Sequence, residues 1–272
     1  MSPLWRDEVG AYLTPRRIFL VRIKRGMRPA LEREENHAGA EAAAGGWENV
    51  LKLYERELQA GGWSDAVARV VLADQWVRYA IVPWSDALSA PAERLAHARE
   101  LMAGVFGEPM SGWTVTLSLS PPGVSCLASA VPTALLAALK ELAVRHGQKL
   151  ATVQPQLIAS FNTWRHALPA EAAAWFVTLE EGSLAALRMC AHGIDRVHAV
   201  RIGADWSREL RRLQTFGRLA SSSAADGRVY VDLPIALRAL RPDVSGELEW
   251  LDEPNPPLTT LHQLEYLRRK AA

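Results

Sequence analysis

Strands and helices interleave along this chain in two similar successions, and that order predicts an α/β protein built as two lobes. Three observations carry the prediction. Short extended runs alternate with amphipathic helices throughout the first half, and the second half opens again on three extended runs in a row. The chain has 272 residues, enough for a large core, with 49% hydrophobic and 22% charged residues, as in ordinary folded proteins.

Residues 10 to 25, GAYLTPRRIFLVRIKR, read as two extended runs around a turn at Thr14-Pro15-Arg16. Ile18, Leu20 and Arg22 alternate with Phe19, Val21 and Ile23, so both faces are apolar and the strand belongs inside a sheet. Residues 32 to 46 are charged, then small and glycine-rich, which predicts an exposed, mobile loop. Trp47 to Ala60 reads as a helix, with Val50, Leu51, Tyr54 and Leu58 at helical spacing and Gly61-Gly62 as its stop. Val67 to Val82 reads as a hairpin turning at Asp74-Gln75 and ended by Pro83. A helix over Ala92 to Val105 and strands over Trp113 to Leu119 and Ser125 to Val131 follow. Pro132 opens a long helix, Thr133 to His146, that Gly147 closes. A short extended run, Leu150 to Val153, leads into a helix over Gln156 to His166.

Ala174 to Leu179, Ala185 to Cys190 and Arg196 to Ile202 read as successive strands, with turns at Glu181-Gly182 and His192-Gly193. Trp206 to Phe216 reads as a charged amphipathic helix, Ser221 to Gly227 as a loop, and Val229 to Asp232 as a strand. A short helix over Ile235 to Leu240, a last strand over Glu247 to Trp250 and a proline-rich connection from Pro254 to Pro257 complete the order. The terminal helix, Thr260 to Lys270, carries Leu261, Leu264 and Leu267 ahead of Arg268-Arg269-Lys270; docking onto the body is expected, with a basic membrane-proximal contact as the alternative.

Several function classes find no support. A net charge of +1 gives no electrostatic case for nucleic acid. The charged N-terminus, MSPLWRDEVG, is not a secretory signal, and no apolar run approaches the ~20 residues of a membrane span. Cys126 and Cys190 form no CxxC pair and fit a reducing compartment. The seven histidines, at 37, 97, 146, 166, 192, 198 and 262, show no HxH or HxxxH spacing, so no metal site is expected. Ser118, Ser120 and Ser125 lie near Pro121-Pro122-Gly123 without a catalytic frame. Arg208, Arg211 and Arg212, offset by Glu209, read as a solvated helix face. The ten tryptophans are scattered and read as anchors at core edges.

The repeated layout resembles the actin-like (ASKHA, ribonuclease H-like) ATPase fold in a degenerate form, and its phrases look like PilM. PilM is the cytoplasmic actin-like protein of type IV pilus assembly, and a similar module forms the cytoplasmic part of the type II secretion protein GspL. GAYLTPRRIFLVRIKR stands where the family opens, and VVLADQWVRYAIVPW stands at a strand pair ending in proline. LASAVPTALLAALKELAVRHGQKLATVQPQLIASFNTW, WFVTLEEGSLAALRMCAHGIDRVHAVRIG and GRVYVDLP supply the later segments. The resemblance implies a first lobe over residues 1–170 with a small subdomain inserted at about 84–131, and a second lobe over 171–272 with the C-terminal helix.

The nucleotide loops depart from the family pattern. Functional members use glycines that let backbone N–H groups approach phosphates, and an acidic residue in each half. Here the first loop reads Tyr12-Leu13-Thr14-Pro15-Arg16-Arg17, with Tyr12 at the acidic position and Pro15 lacking an N–H. The second reads Thr178-Leu179-Glu180, and Glu180-Glu181 repels phosphate while Gly182-Ser183 makes a tight turn. The adenosine loop reads Asp232-Leu233-Pro234 in place of Gly-Gly. Arg16 and Arg17 read as solvated turn residues, and Glu180 and Glu181 as turn acids.

A pseudo-ATPase without cofactor is therefore expected, cytoplasmic and peripheral to the inner membrane. The resemblance implies a scaffold of a pilus or type II secretion-like machine that works with other assembly proteins. It would bind the cytoplasmic tail of a PilN-like bitopic protein near the Val70–Trp84 and Ala92–Val131 segments and reach the membrane only indirectly. The alternative is a nucleotide-binding actin-like ATPase or switch with unusual loops.

Overall fold

The computed structural model describes residues 6–39, 46–88, 90–168, 173–180, 182–203, 206–219, 228–233 and 248–251. The loop, short helix, proline-rich connection and terminal helix expected after Leu219, apart from the strands at 228–232 and 248–250, fall outside these residues, as do Glu181 and Pro234.

The first sheet is built from β1 (Glu8–Leu13), β2 (Arg17–Lys24), β3 (Ala30–Ala38), β4 (Val67–Leu72) and β8 (Lys149–Pro155). Its order is β3-β2-β1-β4-β8, antiparallel among the first three strands and parallel from β1 onward. The second sheet uses β9 (Ala174–Glu180), β10 (Ser183–Cys190), β11 (Gly193–Arg201), β12 (Arg228–Asp232) and β13 (Leu248–Trp250). Its order, β11-β10-β9-β12-β13, repeats the same directions. The two halves are thus one topology used twice.

β1 and β2 are apolar on both faces because each face is covered. Val9, Ala11, Leu13, Ile18 and Leu20 pack with α1 (Glu48–Gln59) and α3 (Thr133–Arg145), whereas Tyr12, Phe19, Val21 and Ile23 pack with Val71 and with Ala159 of α4 (Gln156–Trp164). Helix α3 ends where the sequence says it should. Gly147 takes φ +67°, its N–H donates to the Val144 carbonyl at 3.1 Å, and Gln148 N–H donates to the Ala143 carbonyl at 2.8 Å. That pair of bonds satisfies two carbonyls the helix would otherwise leave open. On the second sheet, α5 (Trp206–Leu219) buries Trp206, Leu210 and Leu213 against Trp175, Val177, Leu184 and Val229, and leaves Arg208, Arg211 and Arg212 exposed.

Two expectations fail here. Of the loop expected over residues 32–46, residues 32–38 belong instead to β3, which has eight register partners on β2. β3 covers the N–H and C=O edge that the buried strand β2 would otherwise leave unpaired, and its charged residues deter further pairing on the outer edge. Nor do Val67–Val82 form a hairpin. A 3₁₀ turn at Asp74–Trp76 carries the chain out of the first sheet, and β5 (Arg78–Val82) pairs with β7 (Cys126–Pro132) in a separate sheet, whose third strand is β6 (Trp113–Leu117), in the order β5-β7-β6. The apolar character of both runs reflects burial in two different sheets, which a pairing inferred from proximity in sequence cannot distinguish.

The third sheet, completed by β6 (Trp113–Leu117), starts at Arg78 and ends at Pro132. α2 (Pro91–Phe106) covers one face of it through Ala98 and Met102, which meet Ala80, Val82, Val115 and Ala128. This small unit leans on the second sheet. Ser125 Oγ donates to the Ile194 carbonyl at 2.9 Å, and at Gly193, with φ +104°, a Cβ would lie 2.9 Å from Val124.

Candidate functional site

β1 and β9 occupy equivalent central positions in their sheets, so the turns that follow them, Leu13–Arg17 and Glu180–Ser183, come from the two lobes at one cleft. A small cavity of about 110 Å³ lies there, lined by Thr14, Pro15, Arg16, Ala73, Gln75, Glu180 and Gly182. Small-molecule pockets typically enclose ~300–1,000 Å³, so this cavity, as its described residues line it, is smaller than most.

Side chains of both lobes meet beside it. Tyr12 is 2% exposed and its phenol donates a short hydrogen bond to Glu180 Oε1. Glu180 is buried as well, and its Oε2 accepts from the Asp74 backbone N–H at 2.9 Å and from Ser183 Oγ at 3.0 Å. It is therefore no turn acid, as the sequence suggested, but the centre of a buried network that joins both lobes. The reason is direction: residue 180 is the last of β9 and its side chain points into the cleft, where three donors await it. A buried carboxylate persists only when its oxygens are so satisfied.

Asp74 is the second centre, and sequence reading treated it only as a turn residue. Its Oδ1 accepts from the Tyr79 phenol at 2.5 Å and from the backbone N–H of Leu157, in the first turn of α4, at 3.1 Å. The Thr178 hydroxyl lies 3.5 Å from Oδ2. Burial, together with the Asp74 carboxylate beside it and Glu180 beyond, pushes the Tyr79 phenol well above its ordinary titration range. One aspartate thus touches the first lobe, the small unit and the second lobe. A lone acid between an apolar strand and a turn was the available signal, since burial there demands partners.

The first turn also consumes its own backbone donors. Thr14 N–H donates to the Arg17 carbonyl at 2.9 Å, and Arg17 N–H donates to Thr14 Oγ1 at 2.9 Å. Pro15 has no N–H to offer. Arg16 is exposed at the tip, and its carbonyl receives Gly39 N–H at 2.7 Å. A phosphate-cradling loop needs several free amides aimed at one point, and here those of Thr14 and Arg17 are spent and Pro15 has none. Asp232, fully buried at the end of β12, accepts a short hydrogen bond from Ser160 of α4 and forms a further link between the lobes.

No protein-family model matches this sequence, and no curated protein does. Solved structures do match. The cytoplasmic domain of EpsL, an inner-membrane component of the type II secretion system of Vibrio cholerae, is 12% identical with a TM-score of 0.56, covering 96% of this chain and 94% of that one. The structure of a PilM–PilN type IV pilus biogenesis complex gives 15% identity and a TM-score of 0.63 over 90% of this chain and 88% of that one. A Bacteroides thetaiotaomicron protein of unknown function, described as having an actin-like ATPase fold, gives 9% and 0.56 over 84% and 82%. With two lobes of one repeated topology facing across a cleft, this chain has the actin-like fold.

Proposed function

We propose that this chain is a non-catalytic, cytoplasmic assembly-platform protein of a type IV pilus or type II secretion-like system. In this reading it binds the short cytoplasmic tail of a PilN-like single-span membrane protein. The likeness to PilM, solved with PilN, and to the EpsL cytoplasmic domain supports that setting. Among the described residues, no helix is long and apolar enough to cross a membrane.

The observation that carries the proposal is a groove of about 460 Å³ on the small unit, lined by Val82, Trp84, Leu88, Leu95, Leu117 and Leu119 among others. Leu119 is wholly exposed at its rim. β6 lies at one edge of the three-stranded sheet beside this groove, an arrangement that suits an extended peptide. The Arg94 guanidinium, 5.4 Å from the Trp84 ring centre, offers a cation to an acidic residue of the tail. Of these residues all but Leu88 fall within the Val70–Trp84 and Ala92–Val131 segments expected from the resemblance.

The absence of catalysis belongs to the same reading. Tyr12, Glu180 and the self-bonded Thr14–Arg17 turn stand where the resemblance puts phosphate chemistry, and Glu180 brings negative charge to that place.

The test uses a synthetic peptide of the cytoplasmic tail of a PilN-like single-span protein from the same genome, titrated by calorimetry. Binding by the native chain is expected, weakened at least ~10-fold by Leu119→Asp with unchanged melting temperature, since that side chain makes no core contact. No binding to the native chain, or equal binding by the variant, would sink the proposed groove.

A further inference from the structure

We propose that Glu35, His37 and Glu57 form a binding site for a divalent transition metal, with Zn²⁺ as the fitting ion. The three supply, within 4.8 Å of one another, one donor atom each, and they are the one such group among the described residues.

The site follows from two periodicities. β3 alternates, so Arg33, Glu35 and His37 share its half-buried face while Glu32, Glu34 and Asn36 point to solvent. On α1, Glu57 lies on the stripe with Val50, Leu53, Tyr54 and Leu58 and is 8% exposed. That stripe faces the body of the first lobe, and its Glu57 end meets His37. A search for paired histidines in sequence misses it, because two ligands come from a strand at i and i+2 and the third from a helix twenty residues on.

The oxygens are divided between two tasks. Glu35 Oε1 takes the Arg33 Nε at 2.6 Å, and Glu57 Oε1 takes Arg56 Nε and Nη2 at 3.1 and 2.9 Å. Both Oε2 atoms face His37 Nε2 instead, at 2.8 Å from Glu35 and 3.5 Å from Glu57. Outer partners that hold the distal oxygen and aim the other are what a metal-ligating carboxylate requires. Tetrahedral zinc with bonds of ~2.0–2.2 Å wants its donors ~3.3 Å apart, so Glu35 and His37 need open by only about half an ångström.

The imidazole separates this group from an ordinary acidic patch. A nitrogen with two carboxylate oxygens suits Zn²⁺ or Co²⁺ better than Ca²⁺ or Mg²⁺, which favour all-oxygen shells. His37 is 29% exposed, which leaves a fourth position for water. The two argininium groups offset the carboxylate charge, so the affinity expected is micromolar rather than nanomolar. Bound metal would clamp the edge strand β3 onto α1.

The experiment titrates the untagged, metal-stripped chain with Zn²⁺ alone by calorimetry, and with Co²⁺ alone by visible absorption. One ion per chain is expected, with the intense d–d bands of low-coordinate Co²⁺. His37→Ala and the near-isosteric Glu57→Gln should each weaken binding at least ~10-fold. Should His37→Ala unfold, Glu57→Gln still decides, with circular dichroism of the metal-free chain as the folding control. No stoichiometric binding by the native chain, or binding that neither substitution weakens, overturns the site and leaves an ion-pair network around His37.

Discussion

Tyr12 and Glu180 decide the character of the cleft. In sequence each is marked only as a departure from the phosphate-loop pattern, one a tyrosine near the end of a strand and the other an acid before a turn. Together they are a donor and an acceptor from opposite lobes, both shielded from water. A hydrogen bond to a buried charged group contributes ~1.5–3 kcal/mol, because the unpaired carboxylate keeps its desolvation cost. Tyr12→Phe should therefore lower stability by about 1.5–3 kcal/mol, read from the midpoint of urea denaturation. With Glu180→Gln the double variant should lose less than the sum of the single losses, since both changes break the same contact. Additive losses would mean that the two side chains do not act as a pair.

Among the elements, the corner at Asp74–Trp76 matters more than any single strand. It ends β4, redirects the chain into the small sheet, and places a carboxylate at the N-terminus of α4, where backbone N–H groups point outward. Asp74→Ala would strand the Tyr79 hydroxyl and the Leu157 amide in a buried setting, for a loss of about 2–4 kcal/mol. The loss should exceed that of Asp74→Asn, which retains an acceptor oxygen. Amide exchange in the first turn of α4, followed by mass spectrometry, should rise in the alanine variant and stay near native in the asparagine one. β3 teaches a different point at this scale. Its sequence, ALEREENHA, has low strand propensity, and the exposed edge of β2 overrides it.

For the whole molecule, the proposed reading predicts indifference to nucleotide. A ligand present at 100 times its Kd stabilises the state it binds by ~2.7 kcal/mol. At ~2–4 °C per kcal/mol for a chain of this size class, that would raise the melting temperature by about 5–10 °C. Mg²⁺-ATP at about 5 mM should instead shift it by less than ~1 °C, which excludes any site with Kd near 50 µM or tighter. A Mg²⁺-dependent rise of several degrees would restore the nucleotide switch as the better account.

The sequence by itself determined the interleaved order of elements, the bounds of most helices and the doubly covered character of β1 and β2. These are local matters: hydrophobic period, helix-stopping glycines such as Gly147, and turn prolines act within a few residues. It also raised the expectation that the residues of three loops do not suit phosphate. Only the tertiary structure decided what those residues do instead. Tyr12 finds Glu180 across 168 positions of chain, Asp74 finds Leu157 across 83, and Ser160 finds Asp232 across 72. Partners at such separations are set by the stacking of two sheets around α4, and no periodicity in the chain encodes them. The same holds for the separation of β4 from β5 and for Glu57 beside His37. Burial makes each polar group seek a partner, but the fold alone chooses which one it meets.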